Sequence, residues 1–257
     1  MKIALYSDLH VETLADDLKL PPVDVDLVIL AGDIDAHTHG LTWAAQELRA
    51  WPSAPDVVYV AGNHEYYGAH LGLLAELRRP AWRQQGVHFL ERETLEWDGV
   101  RILGSTLWSG FDLDGAASMS VAMAAAQSAI DDYCVIGARG GQWLTPQNTQ
   151  ALHRTAVNWL DAELSRPFAG QTIVITHFAP HRRCVAQQHT NSDLSPYFVT
   201  DLSWLMEKHR IALWCHGHTH TNNDFKAENG CRVISNQRGY PGEVDRSGFR
   251  SDWVIEV

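Results

Sequence analysis

Short apolar runs alternate along the chain with longer amphipathic stretches, and this alternation predicts an α/β fold. Five of the runs are rich in β-branched residues and apolar almost throughout, which is typical of strands buried on both faces. They span residues 2–7, 25–31, 57–61, 172–176 and 211–215. Runs at residues 231–235 and 253–257 predict two strands that close the chain.

The stretches between these strands carry helical periodicity. They predict helices at residues 38–50, 70–79, 118–129 and 201–208. Thr145 is a good N-cap and Pro146 suits the first helical turn, so a longer helix is predicted from this point up to the Arg166-Pro167 pair.

Residues 87–90, 94–97 and 100–105 resemble three neighbouring strands separated by short turns. They predict a β-meander, in which Asp98-Gly99 forms a hairpin turn.

The length of 257 residues suits one large α/β domain, so we expect a single domain over residues 1–257. Two segments, residues 111–141 and 179–197, stand outside the framework of strands and helices. We expect them to form loop or helical insertions that shape a substrate cleft.

The formal net charge is −11, and no cluster of Lys and Arg is longer than a pair. A protein that wraps duplex DNA normally has a basic face, so the charge favours a small substrate over a nucleic acid. No apolar run reaches the roughly 18 residues of a membrane span. The first apolar run is too short for a signal peptide, and we therefore expect a cytoplasmic location without membrane contact.

Each of the first five strands ends one or two residues before a short polar motif. The motifs are Asp8-Leu9-His10, Gly32-Asp33, Gly62-Asn63-His64-Glu65, Thr176-His177 and Gly217-His218-Thr219-His220. Ligands of α/β proteins collect at the carboxyl ends of the strands. Oxygen and imidazole donors without thiolates suit divalent Mn, Fe or Zn, and two such ions are a common device for in-line displacement at phosphorus.

The order and content of the motifs resemble the calcineurin-like metallophosphoesterase superfamily. Tyr66-Tyr67-Gly68 and the segment from Ser235 to Tyr240 resemble a bacterial branch of unsettled substrate, and the resemblance covers nearly the whole chain. It implies a layered sandwich of two mixed β-sheets flanked by helices, with a dimetal site at the carboxyl ends of the strands. It also implies a metal-dependent phosphoric ester hydrolase, in which a metal-bridging hydroxide attacks phosphorus.

The resemblance assigns a role to each motif residue. One ion would be held by Asp8, His10 and His220, and the other by Asn63, His177 and His218. Asp33 would bridge the two ions, and His64 would act in catalysis on the leaving group. The cofactors implied are two divalent ions, of which manganese is favoured and iron and zinc are the alternatives.

Each of these residues also has an ordinary structural explanation when it is taken alone. Asp8 or Asp33 would cap a helix, and Asn63 would occupy a left-handed turn position. His177 would be a core histidine bonded to the backbone, and His64 would serve only as a hydrogen-bonding neighbour of the site. The occurrence of all five motifs in one order favours a shared site.

Two positions depart from the pattern of many relatives, including the Ser/Thr protein phosphatases. Those proteins follow the bridging Asp with an Asp that orients the catalytic His and an Arg that binds phosphate. Here Ala36 and His37 stand at these positions, which counts against a Ser/Thr protein phosphatase. We expect Asp35 or Glu65 to orient the catalytic histidine instead.

His37 and Arg238 are the candidates for substrate contact, although Arg238 would equally suit a surface ion pair. Arg182 and Arg183 are other sources of a cation from a loop. A phosphomonoester is a dianion, and enzymes that favour it often add a fixed guanidinium. Because His37 replaces that arginine, a phosphodiester is favoured.

The sequence therefore predicts a dimetal hydrolase of small phosphate esters. The alternatives are a nuclease acting on single-stranded or short nucleic acid, a phosphomonoesterase, and a non-catalytic protein-binding scaffold with this fold. The physiological metal, the natural substrate and the oligomeric state stay open.

Overall fold

The computed structural model describes residues 1–15 and 18–257, and its strands form two sheets. In chain order the strands are β1 (Lys2–Tyr6), β2 (Leu27–Ala31), β3 (Asp56–Val60), β4 (Val87–Phe89), β5 (Glu93–Trp97), β6 (Val100–Ser105), β7 (Thr172–Thr176), β8 (Leu213–His216), β9 (Asp224–Lys226), β10 (Arg232–Ser235) and β11 (Val254–Glu256). One sheet has the order β11-β1-β2-β3-β4, and the other has the order β5-β6-β7-β8-β10-β9.

Both sheets are mixed, as predicted. Strands β1 to β4 run parallel in the first sheet, and β6, β7, β8 and β10 run parallel in the second. The antiparallel strands β11, β5 and β9 lie at sheet edges. Because the inner strands of each sheet point the same way, their carboxyl ends lie together at one edge.

The apolar core has two parts, and the pleat of each strand divides its residues between them. In β1, Ile3 and Leu5 pack in the cluster that also holds Ile173 and Ile175 of the other sheet. Their neighbour Tyr6 belongs to the cluster on the outer faces, against the helices. Burial on both faces is the physical reason for the nearly continuous apolar runs in the sequence.

Helices cover the outer faces of the sheets. They are α1 (His39–Trp43), which continues into a wider helical turn at Ala44–Leu48, α2 (Leu74–Leu77), α3 (Ala81–Gln84), α4 (Met119–Ala129), α5 (Asp132–Val135), α6 (Pro146–Leu164), α7 (Ser195–Phe198), α8 (Ser203–Lys208) and α9 (Val244–Ser247). No helix among residues 1–15 and 18–257 is long and apolar enough to cross a bilayer.

The meander predicted from residues 87–105 is wrong in its first strand. Strand β4 pairs with β3 in the first sheet, and only β5 and β6 form a hairpin, with Asp98 and Gly99 at positive φ in its turn. Between the sheets the chain passes Glu91, whose buried carboxylate accepts the backbone N–H of Thr106 at 2.6 Å. This bond connects the segment between β4 and β5 to the end of β6. Periodicity along the chain does not reveal such a contact.

The helix predicted over residues 70–79 is shorter than expected. Residues Leu71–Leu73 form a tight 3₁₀ turn, and only α2 follows it as α-helix. His70 is extended, and its ring accepts the N–H of Gly72 at 3.0 Å, which satisfies a backbone donor without a full helical turn.

The two segments outside the predicted framework pack on the same outer core as the helices. Residues 111–141 contain α4 and α5, and residues 179–197 lead into α7. Tyr133 and Tyr197, one from each segment, are buried with Tyr6 in a single cluster.

Helix α6 begins as predicted, with a capping box at Thr145. The Thr145 hydroxyl accepts the N–H of Asn148 at 3.3 Å, and the Asn148 side chain accepts the N–H of Thr145 at 3.1 Å.

We expect Thr145→Ala to lower the free energy of unfolding by about 1 kcal/mol, measured by denaturant titration. The control Thr155→Ala, at an exposed position of the same helix, should change it by less than about 0.5 kcal/mol. Equal losses in the two variants would contradict this role of the cap.

Candidate metal centre and active site

The polar motifs meet at the edge where the parallel strands end, and most of their ligand candidates adopt a left-handed backbone. The φ angles are 52° at Asp8, 48° at His10, 54° at Asp33, 74° at His218 and 47° at His220. Residues with a side chain rarely adopt this conformation, which costs roughly 1–3 kcal/mol each where it occurs. Asp8 and His10 therefore approach each other through a strained turn after β1.

One cluster combines Asp8, His10 and His220. The Nε2 atoms of His10 and His220 lie 3.1 Å apart, and His220 Nε2 lies 3.5 Å from Asp8 Oδ1. Candidate ligand atoms of all three residues lie within 4.8 Å of one another. Asp8 is fixed because its carboxylate accepts the N–H of His218 at 2.9 Å.

A second cluster surrounds His177, which follows β7. Its Nε2 lies 3.2 Å from Asp33 Oδ2, 3.2 Å from Asn63 Oδ1 and 3.1 Å from His218 Nδ1. The structure thus separates His218 from His220, as the resemblance implies, and brings each to a different cluster.

Asp33 lies between the two clusters. Its ligand atoms lie within 4.8 Å of those of His177 and His218 on one side, and of His10 and His64 on the other. The backbone N–H of His64 donates to Asp33 Oδ1 at 2.8 Å. This placement suits a bridging carboxylate, whose role in metal binding stays a prediction.

Neighbouring groups hold the candidate ligands so that their lone pairs face inward. His177 Nδ1 donates to the Ala31 carbonyl at 2.9 Å, His10 Nδ1 to Glu12 at 3.1 Å and His220 Nδ1 to Glu243 at 2.7 Å. This is the usual arrangement around metal-binding histidines, because it fixes the tautomer and leaves Nε2 free to bind.

Asn63 is oriented in the same way by Asp132, a buried residue of α5. The Asn63 amide donates to Asp132 at 2.9 Å, which turns its carbonyl oxygen towards His177. Asp132 also accepts the hydroxyls of Tyr67 at 2.9 Å and Tyr197 at 2.6 Å. The sequence gives no sign of this contact, because Asp132 is distant in the chain from every motif.

The electrostatics of both clusters favour added positive charge. Burial on its own would lower the pKa of His177, but the Asp33 carboxylate outweighs burial and raises that pKa to about 10. Burial would likewise lower the pKa of His220, but the hydrogen bond and charge of Asp8 outweigh it and raise that pKa to about 9. Acceptor atoms 3.1–3.5 Å apart repel unless a cation or a proton lies between them. The residues present therefore fit two divalent cations.

Glycines in the motifs make room for this approach. A Cβ atom on Gly62 would lie 2.1 Å from Asp33 Oδ1, and one on Gly217 would lie 2.7 Å from Asp8 Oδ2. A side chain at either position would displace a carboxylate, which explains why the motifs at Gly62 and Gly217 begin with glycine.

His64 lies at the rim of the clusters, and the group that orients it is Glu12. His64 Nδ1 lies 3.0 Å from Glu12 Oε1, and the same oxygen accepts from His10 Nδ1. Burial raises the pKa of Glu12, but the hydrogen bonds from the two histidines outweigh it and lower the pKa to about 2. The Asp33 and Glu12 carboxylates also raise the pKa of His64, against the effect of burial.

The expectation that Asp35 or Glu65 orients His64 is wrong. The Glu65 carboxylate is fully buried and accepts backbone N–H groups of Gly62 and Ile34, at 2.7 Å and 3.0 Å. Asp35 accepts the N–H of Ala36 at 2.6 Å. Both acids stabilise the turns that carry Asp33 and His64 and do not contact the imidazole ring.

Two tyrosines enclose His64. The ring of Tyr67 stacks on His64 at a centroid distance of 4.0 Å, and the hydroxyl of Tyr240 lies 3.0 Å from His64 Nε2. Tyr240 also stacks on His10 at 4.4 Å. Both tyrosines lie in segments that the resemblance marks, but the sequence does not show that they meet at one histidine.

The candidate substrate residues His37 and Arg238 point to backbone carbonyls. His37 Nε2 donates to Tyr67 O at 2.8 Å, and Arg238 Nη1 donates to Leu9 O at 3.2 Å. Their contact with a substrate therefore stays a prediction.

A cleft of about 310 Å³ opens over the two clusters. Its walls include His64, Tyr67 and Tyr240, together with Ile130 and Tyr197 of the two inserted segments. Among the described residues that line it there is no lysine or arginine. Within this described lining, the histidines and any bound cations are the groups that can carry positive charge.

Comparison with known proteins agrees with this geometry. The family model of calcineurin-like phosphoesterases matches residues 1–222. An uncharacterised protein of Acanthamoeba polyphaga mimivirus is 26% identical over 286 residues, which cover 100% of this chain and 97% of that protein.

Two solved structures share the fold. Phosphopantetheinyl hydrolase from Mycobacterium tuberculosis aligns with a TM-score of 0.77 at 22% identity, over 100% of this chain and 95% of that one. A dimetal phosphatase from Danio rerio aligns with a TM-score of 0.54 at 15% identity, over 91% of this chain and 86% of that one.

Because Asp33 faces both clusters, its loss should affect both ions. We expect Asp33→Asn to reduce metal content at both sites, and His10→Ala to reduce chiefly one, in elemental analysis after saturation with Mn²⁺ and desalting. The matched control Asp161→Asn, outside the cleft, should keep full occupancy. Two tightly held ions in Asp33→Asn would contradict the bridging role.

Glu12 should contribute to metal affinity through His10. We expect Glu12→Gln to weaken the binding of one ion by about 10–100-fold, as is typical when the acceptor behind a metal-binding histidine is altered. Titration of the metal-free protein measures this, and Glu76→Gln at an exposed position is the control. An unchanged affinity would show that His10 does not need the charge of Glu12.

Proposed function

This chain belongs to the calcineurin-like phosphoesterase family and is a phosphoester hydrolase, and from that premise we propose that it cleaves small phosphodiesters. Two divalent ions would be held at the clusters of Asp8 and His177, with manganese favoured over iron or zinc. The donor set of carboxylate, amide and imidazole without thiolate supports this preference. When bound, the ions would supply a water of lowered pKa and neutralise charge on the phosphoryl oxygens.

The observation that carries the diester assignment is the lack of a fixed cation on the described cleft wall. The arginines that the sequence offers are engaged elsewhere. Arg182 pairs with Asp114 at 3.1 Å, and Arg183 lies over the ring of Phe225. A diester carries one negative charge, so it needs less compensation than the dianion of a monoester.

The chain's own residues position the acid. Glu12 holds Nδ1 of His64, Tyr67 supports one ring face, and Nε2 is directed to the cleft beside the hydroxyl of Tyr240. As the bond between phosphorus and the leaving oxygen breaks, His64 would donate its Nε2 proton to that oxygen. Burial lowers the pKa of His64, but the Asp33 and Glu12 carboxylates outweigh it and raise that pKa, which favours the protonated ring.

We also propose that the protein acts in the cytoplasm. All four of its cysteines are free, and three of them are buried, which suits a reducing compartment.

The substrate assignment is tested by comparing kcat/KM for bis-nitrophenyl phosphate and nitrophenyl phosphate with the same metal. We expect the diester to be preferred, because the cleft offers no guanidinium to a dianion. A monoester preference of tenfold or more would overturn the proposal. A phosphopantetheinyl ester and a short single-stranded oligonucleotide belong in the panel, since the neighbour from M. tuberculosis is a phosphopantetheinyl hydrolase and a nuclease is the alternative.

The role of His64 is tested by its dependence on the leaving group. We expect His64→Asn to keep both ions and to lose about 10²–10⁴ in turnover of a diester with an alcohol leaving group. The loss should be much smaller for a nitrophenolate, which needs little protonation. The control His209→Asn, outside the cleft, should keep both the bound ions and the turnover. Equal losses of turnover on the two substrates in His64→Asn would assign His64 another role.

A further inference from the structure

A second cavity lies beside the catalytic cleft, and we call it the side pocket. Its volume is about 180 Å³. Its walls are mainly apolar and come from Cys184, Val185, Ala186, Leu194, Phe198 and Val199. These residues belong to the second inserted segment and to the chain immediately after it.

The side pocket adjoins the cleft and shares part of its lining. Phe198, Thr219 and His189 line both cavities. Thr219 lies between the two histidines of the last motif, and the ring of Phe198 is 5.1 Å from the ring of His218. The side pocket therefore begins one side chain away from the His177 cluster.

Two of the hydroxyl groups in its walls bond to other protein groups. The Ser195 hydroxyl donates to the His189 carbonyl at 2.6 Å, and the Thr219 hydroxyl accepts from Gln237 at 3.0 Å. The Cys184 thiol lies 3.4 Å from His216 Nε2. Burial raises the pKa of this thiol, so the thiol stays neutral. Lys, Arg, Asp and Glu are absent from the described lining, which leaves a surface suited to an uncharged apolar group.

We propose that the side pocket binds one ester substituent of the diester, an uncharged apolar group the size of a short alkyl chain. This inference rests on the proposed diester function. A diester bound at the two clusters has two substituents, of which one leaves beside His64. The other remains, and the side pocket begins one side chain away from His218, behind Phe198. Its volume is well below the roughly 300–1,000 Å³ of sites for drug-sized ligands, which excludes a long lipid chain.

The test is a series of nitrophenyl alkyl phosphates from methyl to butyl, which share one leaving group. We expect kcat/KM to rise by up to about fourfold for each added methylene, because each is transferred from water to an apolar wall. The variant Ala186→Phe, which fills the side pocket, should lower the butyl-to-methyl ratio at least tenfold. The matched control Ala124→Phe, on the exposed face of α4, should keep the ratio of the wild type.

Two further measurements guard against a folding defect in Ala186→Phe. Val185→Thr replaces a methyl group by a hydroxyl at nearly constant volume and should lower the same ratio. Calorimetry with methylphosphonate and butylphosphonate compares binding without turnover, and butylphosphonate should bind at least tenfold more tightly to the wild type than to Ala186→Phe.

The outcomes separate the inference from the proposed function. If methyl nitrophenyl phosphate is not cleaved, the diester function fails, and the phosphonate series still decides whether the side pocket takes an alkyl group. If the diesters are cleaved at rates that do not depend on chain length, the side pocket has no part in substrate binding. A flat phosphonate series likewise overturns the inference.

Discussion

The buried carboxylate of Asp33 is the constraint on which the rest of the site depends. It lies between two groups of imidazoles, and it accepts the N–H of His64 while facing His177. Such a charge is unfavourable away from water unless cations or donors surround it. The absence of a side chain at Gly62 permits its approach, and the buried Glu65 fixes the turn that carries it.

The sequence predicts the strands well because their burial on both faces leaves a plain apolar signature. It also predicts that the polar motifs gather at one edge, since the carboxyl ends of parallel strands lie there. The grouping of the motif residues into two clusters comes only from the resemblance to a known family. Prediction from the sequence fails where partners are set by the tertiary fold alone. Strand β4 joins β3 because the chain crosses between the sheets at Glu91, and Glu12 reaches His64 from a turn 52 residues earlier. Periodicity and motif spacing carry no information on such contacts.

The described walls of this cleft are distinguished by the residue types they omit as much as by those they contain. The described lining offers histidines and tyrosine hydroxyls but no arginine, so bound cations must supply most of the positive charge. Aromatic rings of Tyr67 and Tyr240 enclose the imidazole of His64 and limit its rotation. The inserted segments complete the wall through Ile130 and Tyr197, outside the strands that carry the metal-binding motifs.

Five of the ligand candidates adopt left-handed backbone conformations, and this has a consequence for evolution. Glycine would relax the backbone at Asp8, His10, Asp33, His218 or His220, but would remove a candidate metal-binding side chain. Substitutions that would stabilise the fold at these positions would therefore weaken metal binding. A descendant freed from selection for hydrolysis should lose these residues early and gain stability as it does so.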